Sequence, residues 1–382
     1  MSIQPRSQWP LLRHDPWLLS CLTWVPIVLA FSIWWIFSQG IARDLPIGVV
    51  DLSHSQLSRQ LVRELDATST LTVEKHYQDV SQAKAALIES DIYAYVVIPY
   101  GFDKSIMRGE QPQVSTFFNS QYILVGKLIN SAVVQAQSTF NAQIDVMKTL
   151  ASSNQTALSA MGRAVPIRTQ LTPLFNLNTN YAQFLVSAAI PAIWQIVIVV
   201  STIMILAANY RHFGLKSWLG DRPLYVLTQT LKCYIPLFML QGIGFLIWFY
   251  QWLDWPMQGS FGILIIAQTF TTIACIIMGA LFFFLTLDSA RAMSFAGAYT
   301  APSFAFMGIT FPATDMNSLA QLWRNILPIS HYIEVQVSQV SYDASAWRSF
   351  EYLVPMFGYA LPLALILLLI KKHIKAEQLN HD

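Results

Sequence analysis

Residues able to do chemistry are few in this chain and poorly spaced for it. Asp51 with His54, and Glu74 with His76, put carboxylates beside imidazoles, the side chains that ligate divalent metals. Tight ligand spacing is missing, and all four fall at strand ends and helix starts. Asp51 and Ser53 read better as turn and N-cap residues opening a helix. The three thiols, Cys21, Cys233 and Cys275, sit in or beside apolar runs and offer no disulfide framework. No G-x-x-x-x-G-K-[ST] loop, H-E-x-x-H, G-x-S-x-G or C-x-x-C occurs. The chain therefore has no phosphate-cradling loop for ATP, and no catalytic array or metal site is expected.

The elements around these residues are those of a membrane protein. The 382 residues are 54% hydrophobic and 12% charged, with a mean hydropathy of +0.44. A soluble domain carries about 25% charged residues, so this chain has too few to cover a water-facing surface. A net charge of +2 and the absence of a long basic run exclude nucleic acid as a partner. The apolar fraction excludes a disordered chain.

Crossing the hydrocarbon core takes about 20 apolar residues. Six runs qualify, at 17–37, 184–208, 233–252, 261–287, 292–311 and 352–370. The fifth is rich in small residues and holds Pro302. One set of flanks carries Arg6, Arg13, Arg211, Lys216, Arg222, Lys232, Arg291, Lys371, Lys372 and Lys375, whereas the opposite short flanks carry only Arg324 and Arg348. That bias puts both termini in the cytoplasm and residues 40–181 outside. The first run lacks a cleavage pattern and reads as an anchor. No Asp, Glu, Lys, Arg or His lies inside the six runs, which leaves no proton relay and argues against an ion-coupled transporter. Energy for uphill movement would have to arrive through a cytoplasmic surface.

Between the first two runs the pattern changes to short strands at 47–50, 71–73, 92–98 and 114–118, alternating with helices at 56–65 and 81–90. This order predicts a small α/β sheet domain. A long helix at 122–161 follows, with Leu128, Ala132, Ala136, Phe140, Ile144, Met147 and Ala151 on one stripe. The stripe is either a stalk or partner face, or packs on the domain's own sheet. Eleven basic and eleven acidic residues between Arg43 and Arg168 speak against capture of a strongly charged ligand.

Two loops have content. The inner loop at 209–223 carries Phe213, Leu215, Trp218 and Leu219, large apolar residues suited either to docking or to lying in the lipid interface. The architecture resembles the permease subunits of ABC exporters of the second type. Those permeases show Gly-Thr-x-Glu-x-Leu after the second span, with Pro nine positions beyond the Gly. Gly214, Leu219 and Pro223 match, while Leu215 replaces the Thr and Ser217 the Glu. A second resemblance is the stretch G-x-x-F-P-x-x-x-M-P, matched by Gly308, Phe311, Pro312 and Met316, then by Pro328 and Tyr332; Asn317 stands where the second Pro is common.

The resemblance implies a polytopic α-helical membrane protein with six transmembrane helices and an inserted extracytoplasmic α/β domain. Residues 1–39 would hold the cytoplasmic N-terminus and first span, 40–181 the external domain, and 182–382 five further spans, a re-entrant outer segment at 312–350 and a cytoplasmic tail. It implies that Arg211, Gly214, Leu215, Ser217, Trp218, Leu219 and Pro223 form a coupling helix on a separate ATPase, which would carry the ATP and Mg. It implies a second permease chain, in a homo- or heterodimer, and for some relatives a periplasmic adaptor. Gly297, Ala301 and Ala305 recur every four residues and suit close helix packing. With Trp194 and Tyr299 they are candidates for the dimer interface and path, and Phe295, Phe304 and Phe306 favour a lipid-like or amphipathic cargo. Arg324, His331 and Glu334 would lie on the re-entrant segment or in an ordinary interfacial turn. The implied localisation is the bacterial inner membrane, among its lipids, and the alternative is a membrane scaffold whose external domain recruits a partner.

Overall fold

The computed structural model describes residues 8–152, 175–176 and 180–379. They fall into two compact units, one drawn from Met1–Gly40 with Pro173–Asp382 and the other from Ile41–Thr172.

The second unit is a four-stranded sheet in the order β2-β1-β3-β4, formed by β1 (Leu45–Asp51), β2 (Leu71–His76), β3 (Ala94–Ile98) and β4 (Ser115–Phe118). β1 pairs in parallel with β2 and β3, and β4 runs antiparallel to β3. Period-two alternation splits β1 between two cores. Ile47 and Val49 pack with Leu57, Leu61 and Leu65 of the helix Gln56–Asp66, whereas Val50 packs with Ala83, Ala86, Ile92 and Tyr95 on the other face. The N-cap of Gln56–Asp66 is Ser55, in a reciprocal box with Ser58, and not Ser53 as expected. Asp51 is the turn residue: its carboxylate accepts from the Ser53 and His54 N–H groups and from the Ser58 hydroxyl.

The long helix Ile123–Ser152 lays Ala132, Ala136, Phe140 and Ile144 into the first of these cores, with Leu128 packed beside them. Gln143 donates to Glu64 and accepts from Gln60 across the same contact. Most of the stripe thus packs on its own domain, and only Met147 and Ala151 leave that core for solvent. Residues 153–161 of the expected helix lie outside the described residues.

The first unit is helical. Among the described residues four helices are long and apolar enough to cross a membrane: Tyr181–Phe213, Pro223–Trp252, Phe261–Thr286 and Ala346–Glu377. The expected run at 17–37 is a pair, Pro16–Leu22 and Trp24–Phe37, bent by 48° at Thr23, and counts as a fifth if taken as one span. The expected run at 292–311 is not one helix. Ser289–Thr300 has 12 residues, about 18 Å of rise and too short to cross. Ala301 and Pro302 end it, the four-residue helix Ser303–Phe306 follows, and Gly308 turns the chain at φ +89°. Proline removes an N–H from the helical ladder and restricts the residue before it, which is why hydropathy alone misjudged this stretch.

Tyr181–Phe213 is the central helix of this unit. Phe261–Thr286 crosses it at Gly279, where a Cβ would lie 2.8 Å from the Val199 carbonyl oxygen. At Gly242 a Cβ would lie 2.9 Å from both the Trp194 ring and the Gln268 amide oxygen. Apolar lipid gives no hydrophobic drive between helices, so such close approaches and buried hydrogen bonds hold them together.

Candidate coupling and translocation site

The loop at 209–223 is built around two glycines whose backbone only glycine adopts readily. Gly214 (φ 68°, ψ 160°) ends the central helix, and Gly220 (φ 54°, ψ −148°) ends the one-turn helix Leu215–Leu219. The helix Pro223–Lys232 then starts with Pro223 in its first turn, where a missing N–H costs nothing. Leu215, Trp218 and Leu219 are 1%, 4% and 0% exposed. They do not project for docking but pack into the unit's own core. Trp218 stacks on Phe284 at 6.5 Å, and the Phe284 carbonyl accepts from His373 Nε2–H, tying in the C-terminal helix Ala360–Leu379. The outward surface is polar: Arg211, Lys216, Ser217, Asp221 and Arg222 are exposed. Arg211 lies 3.7 Å from Asp15 in a largely exposed pair that adds little stability.

The residues assigned to a path divide into two groups. Trp194 is 1% exposed and donates from its indole N–H to the Phe238 carbonyl at 3.1 Å. It meets the ring of Tyr332, whose hydroxyl accepts from Gln268. Two residues placed at different sites from sequence therefore form one internal knot, and Trp194 lines no open path in the single chain. Tyr299 is likewise internal: its hydroxyl and that of Tyr359 both donate to the Ile326 carbonyl. Gly297, Ala301 and Ala305 are exposed, and a Cβ at Gly297 would meet nothing within 4 Å. Phe295 is exposed beside them, while Phe304 and Phe306 pack partly on the core.

The segment after Gly308 is two helices, Ser318–Asn325 and Pro328–Tyr342. Phe311 and Pro312 are exposed, and Met316 is buried. Asn317 has a local reason to stand where relatives carry proline, since its side chain caps Ser318–Asn325 by accepting from the Ala320 N–H at 2.9 Å. Pro328 opens the second helix, whose first two turns are buried apart from Glu334. Arg324, His331 and Glu334 come together there. Arg324 Nη2 lies 2.8 Å from Glu334 Oε1, and His331 Nδ1 lies 4.0 Å from Glu334 Oε2 while its Nε2–H donates to the Asn325 carbonyl. Gly308 runs beside the guanidinium at φ +89°, and this backbone conformation is what calls for glycine, since a Cβ would make only ordinary contact at 3.6 Å with Arg324 Nε and Nη2.

Sequence reasoning passed over Gln195, which organises this region from the central helix. Its amide donates to Ser303 Oγ at 2.9 Å and accepts from the Ile329 N–H at 3.0 Å. It satisfies one of the orphan N–H groups that every helix start carries, and it ties the short helix Ser303–Phe306 and the start of Pro328–Tyr342 to the central helix. A glutamine inside an otherwise apolar run is the signal that could have marked it. Among the described residues no group of three or more His, Cys, Asp or Glu is placed to hold a metal ion.

Several long apolar helices with a broken apolar stretch packed among them mark a multi-pass membrane protein. A family model described as ABC-2 family transporter protein matches residues 16–370, and the chain belongs to that family. It is a membrane permease component of an ABC transporter, a kind of subunit that works with an ABC ATPase and generally lacks a nucleotide-binding site of its own. No curated protein matches it.

Proposed function

We propose that this chain is half of an ATP-driven exporter, paired with a second permease chain and driven by separate ATPase subunits that carry the ATP and Mg. In this reading both termini are cytoplasmic, residues 40–181 stand outside the bacterial inner membrane, and the broken stretch at 292–311 completes a set of six membrane passages. The segment at 312–350 is the re-entrant outer part. The cargo is hydrophobic or amphipathic, because the faces offered to lipid and to a partner helix are aromatic and small rather than charged. An adaptor on the α/β unit is a further partner of this arrangement.

The observation that carries the reading is the burial of Leu215, Trp218 and Leu219. A loop pinned this way to Phe284, and through it to the last helix, is a lever. Force applied to its polar outer surface reaches the spanning helices without being lost in a flexible linker. Arg211, Lys216 and Ser217 are the contacts we assign to the ATPase, with Gly214 and Pro223 fixing the loop's shape.

The test is co-reconstitution with candidate ABC ATPase subunits. We expect the chain to change ATP hydrolysis severalfold, and Lys216→Glu to abolish the change with no shift in melting temperature. Leu215→Asp should instead unfold the loop and lower the melting temperature. A scaffold would leave hydrolysis unchanged with every variant, and that result would end the proposal.

A further inference from the structure

The charge balance of the α/β unit hides a local separation. At the carboxyl edge of the parallel pair β1 and β2 lies a cavity of about 430 Å³ lined by Asp51, His54, Arg59, Val62, Arg63 and His76. This volume falls in the range of small-molecule sites, and the carboxyl edge of parallel strands is where open α/β sheets bind ligands. Arg59 and Arg63 stand four residues apart on one face of the helix Gln56–Asp66, a like-charge spacing that disfavours the helix unless an anion lies between.

Three observations bear on this spot. β1 and β2 pair as Ile47 with Val73 but then as Gly48 with Lys75 and Val49 with His76, so Glu74 is an extra, bulged residue. Without the bulge Lys75 would follow Val73 onto the helix side. With it, Lys75 turns away to pair with Asp91, and His76 takes the helix side beside Val49. Bulges commonly re-aim a side chain next to a site. Second, His54 adopts φ +50°, a left-handed conformation that residues with a Cβ rarely take. It is held there by Asp51, and its carbonyl accepts from Arg59 Nη1.

Third, the nearby carboxylates, Asp51 in the cavity lining among them, keep their charge but have their oxygens turned to neutral donors and form no ion pair with either arginine. Asp51 is engaged by two backbone N–H groups and the Ser58 hydroxyl, Glu64 by Gln143, and Asp66 by the Val73 N–H. Among the described residues no ion pair engages Arg59 or Arg63. Two guanidinium forks and two imidazoles offer more donors than a carboxylate can accept, and they suit the three terminal oxygens of a phosphoryl group.

We propose that this pocket of the α/β unit binds the phosphoryl group of a small phosphate ester, through Arg59 and Arg63 with His54 and His76. The site belongs to the unit itself and does not depend on the transport reading.

The test is calorimetric titration of the full chain in phosphatidylcholine nanodiscs with glycerol 3-phosphate, inorganic phosphate and dihexanoylphosphatidic acid at constant ionic strength. One saturable site is expected, with affinity falling at least tenfold in Arg59→Gln/Arg63→Gln and unchanged in Arg108→Gln. The four side chains are exposed, so the melting temperature should not move. Tighter binding of glycerol 3-phosphate identifies a soluble ester, and tighter binding of the short-chain lipid identifies a headgroup; either supports the site. No saturable binding by any of the three compounds, equal binding by the double variant, or displacement by succinate or hexaglutamate at equal concentration would overturn it.

Discussion

Replacing Glu334 by glutamine removes the counter-charge of a guanidinium that is 7% exposed. The two groups meet at 2.8 Å, with the glutamate side chain 29% exposed. At an effective dielectric constant of about 20, unit charges near 4 Å attract by about 4 kcal/mol. Truncating one member of a buried pair costs about 3–5 kcal/mol, because the other charge stays buried alone. Water reaching Glu334 places this pair at the lower end, about 3 kcal/mol. For a unit of this size that lowers the melting temperature by about 6–10 °C. Arg324→Met should cost a similar amount. The double variant Arg324→Met/Glu334→Gln buries no charge and should recover most of the loss, to within about 1 kcal/mol of the parent. Melting of the purified chain in detergent, followed by tryptophan fluorescence, gives the three shifts. If the double variant melts at the sum of the single losses, Arg324 and Glu334 are independent and the account of this cluster is wrong.

Gly279→Val should lower the melting temperature by more than any exposed substitution, since its Cβ would strike the Val199 carbonyl at 2.8 Å and the central helix would have to move. An unchanged melting curve would show that the two helices do not pack there. Gln195→Leu strips partners from the Ser303 hydroxyl and the Ile329 N–H, with an expected loss of about 1–3 kcal/mol per group left unpaired. Hydrogen exchange should then rise at the start of Pro328–Tyr342, and exchange at the parent rate would count against the pinning role. Gly297→Leu meets no atom of its own chain, so it should leave the melting temperature alone while reducing cross-linking between two permease chains severalfold. Undiminished cross-linking would remove this face from the interface.

Much of this architecture was legible as a one-dimensional pattern. Long uncharged runs mark spanning helices because a bilayer has a fixed thickness and no water to satisfy the backbone. Short apolar strand patterns at 47–50 and 92–98, and helical spacing at 56–65, mark the α/β unit because each periodicity puts one face toward a core. Gly214 and Pro223 could be placed from sequence because their backbone requirements are local. The charge census and the missing nucleotide loop likewise needed no coordinates.

Direction and partnership were not local. Trp218 and Leu215 are apolar in any frame, but only packing against Phe284 decides that they face inward. Trp194 and Tyr332 are far apart in the chain and touch because Gly242 leaves room for an indole. The run at 292–311 reads as a span by composition and becomes two short helices because Pro302 and Gly308 interrupt it and Gln195 holds the second piece at Ser303. The arginines of the α/β unit cancel in a charge sum, and they concentrate only when a bulge and a turn bring strand ends and one helix face together. Composition and periodicity thus marked the long apolar helices and the strands of the sheet, since those depend on near neighbours in the chain. Which side chains face each other was decided by the tertiary structure, because that depends on distances between residues the chain order keeps apart.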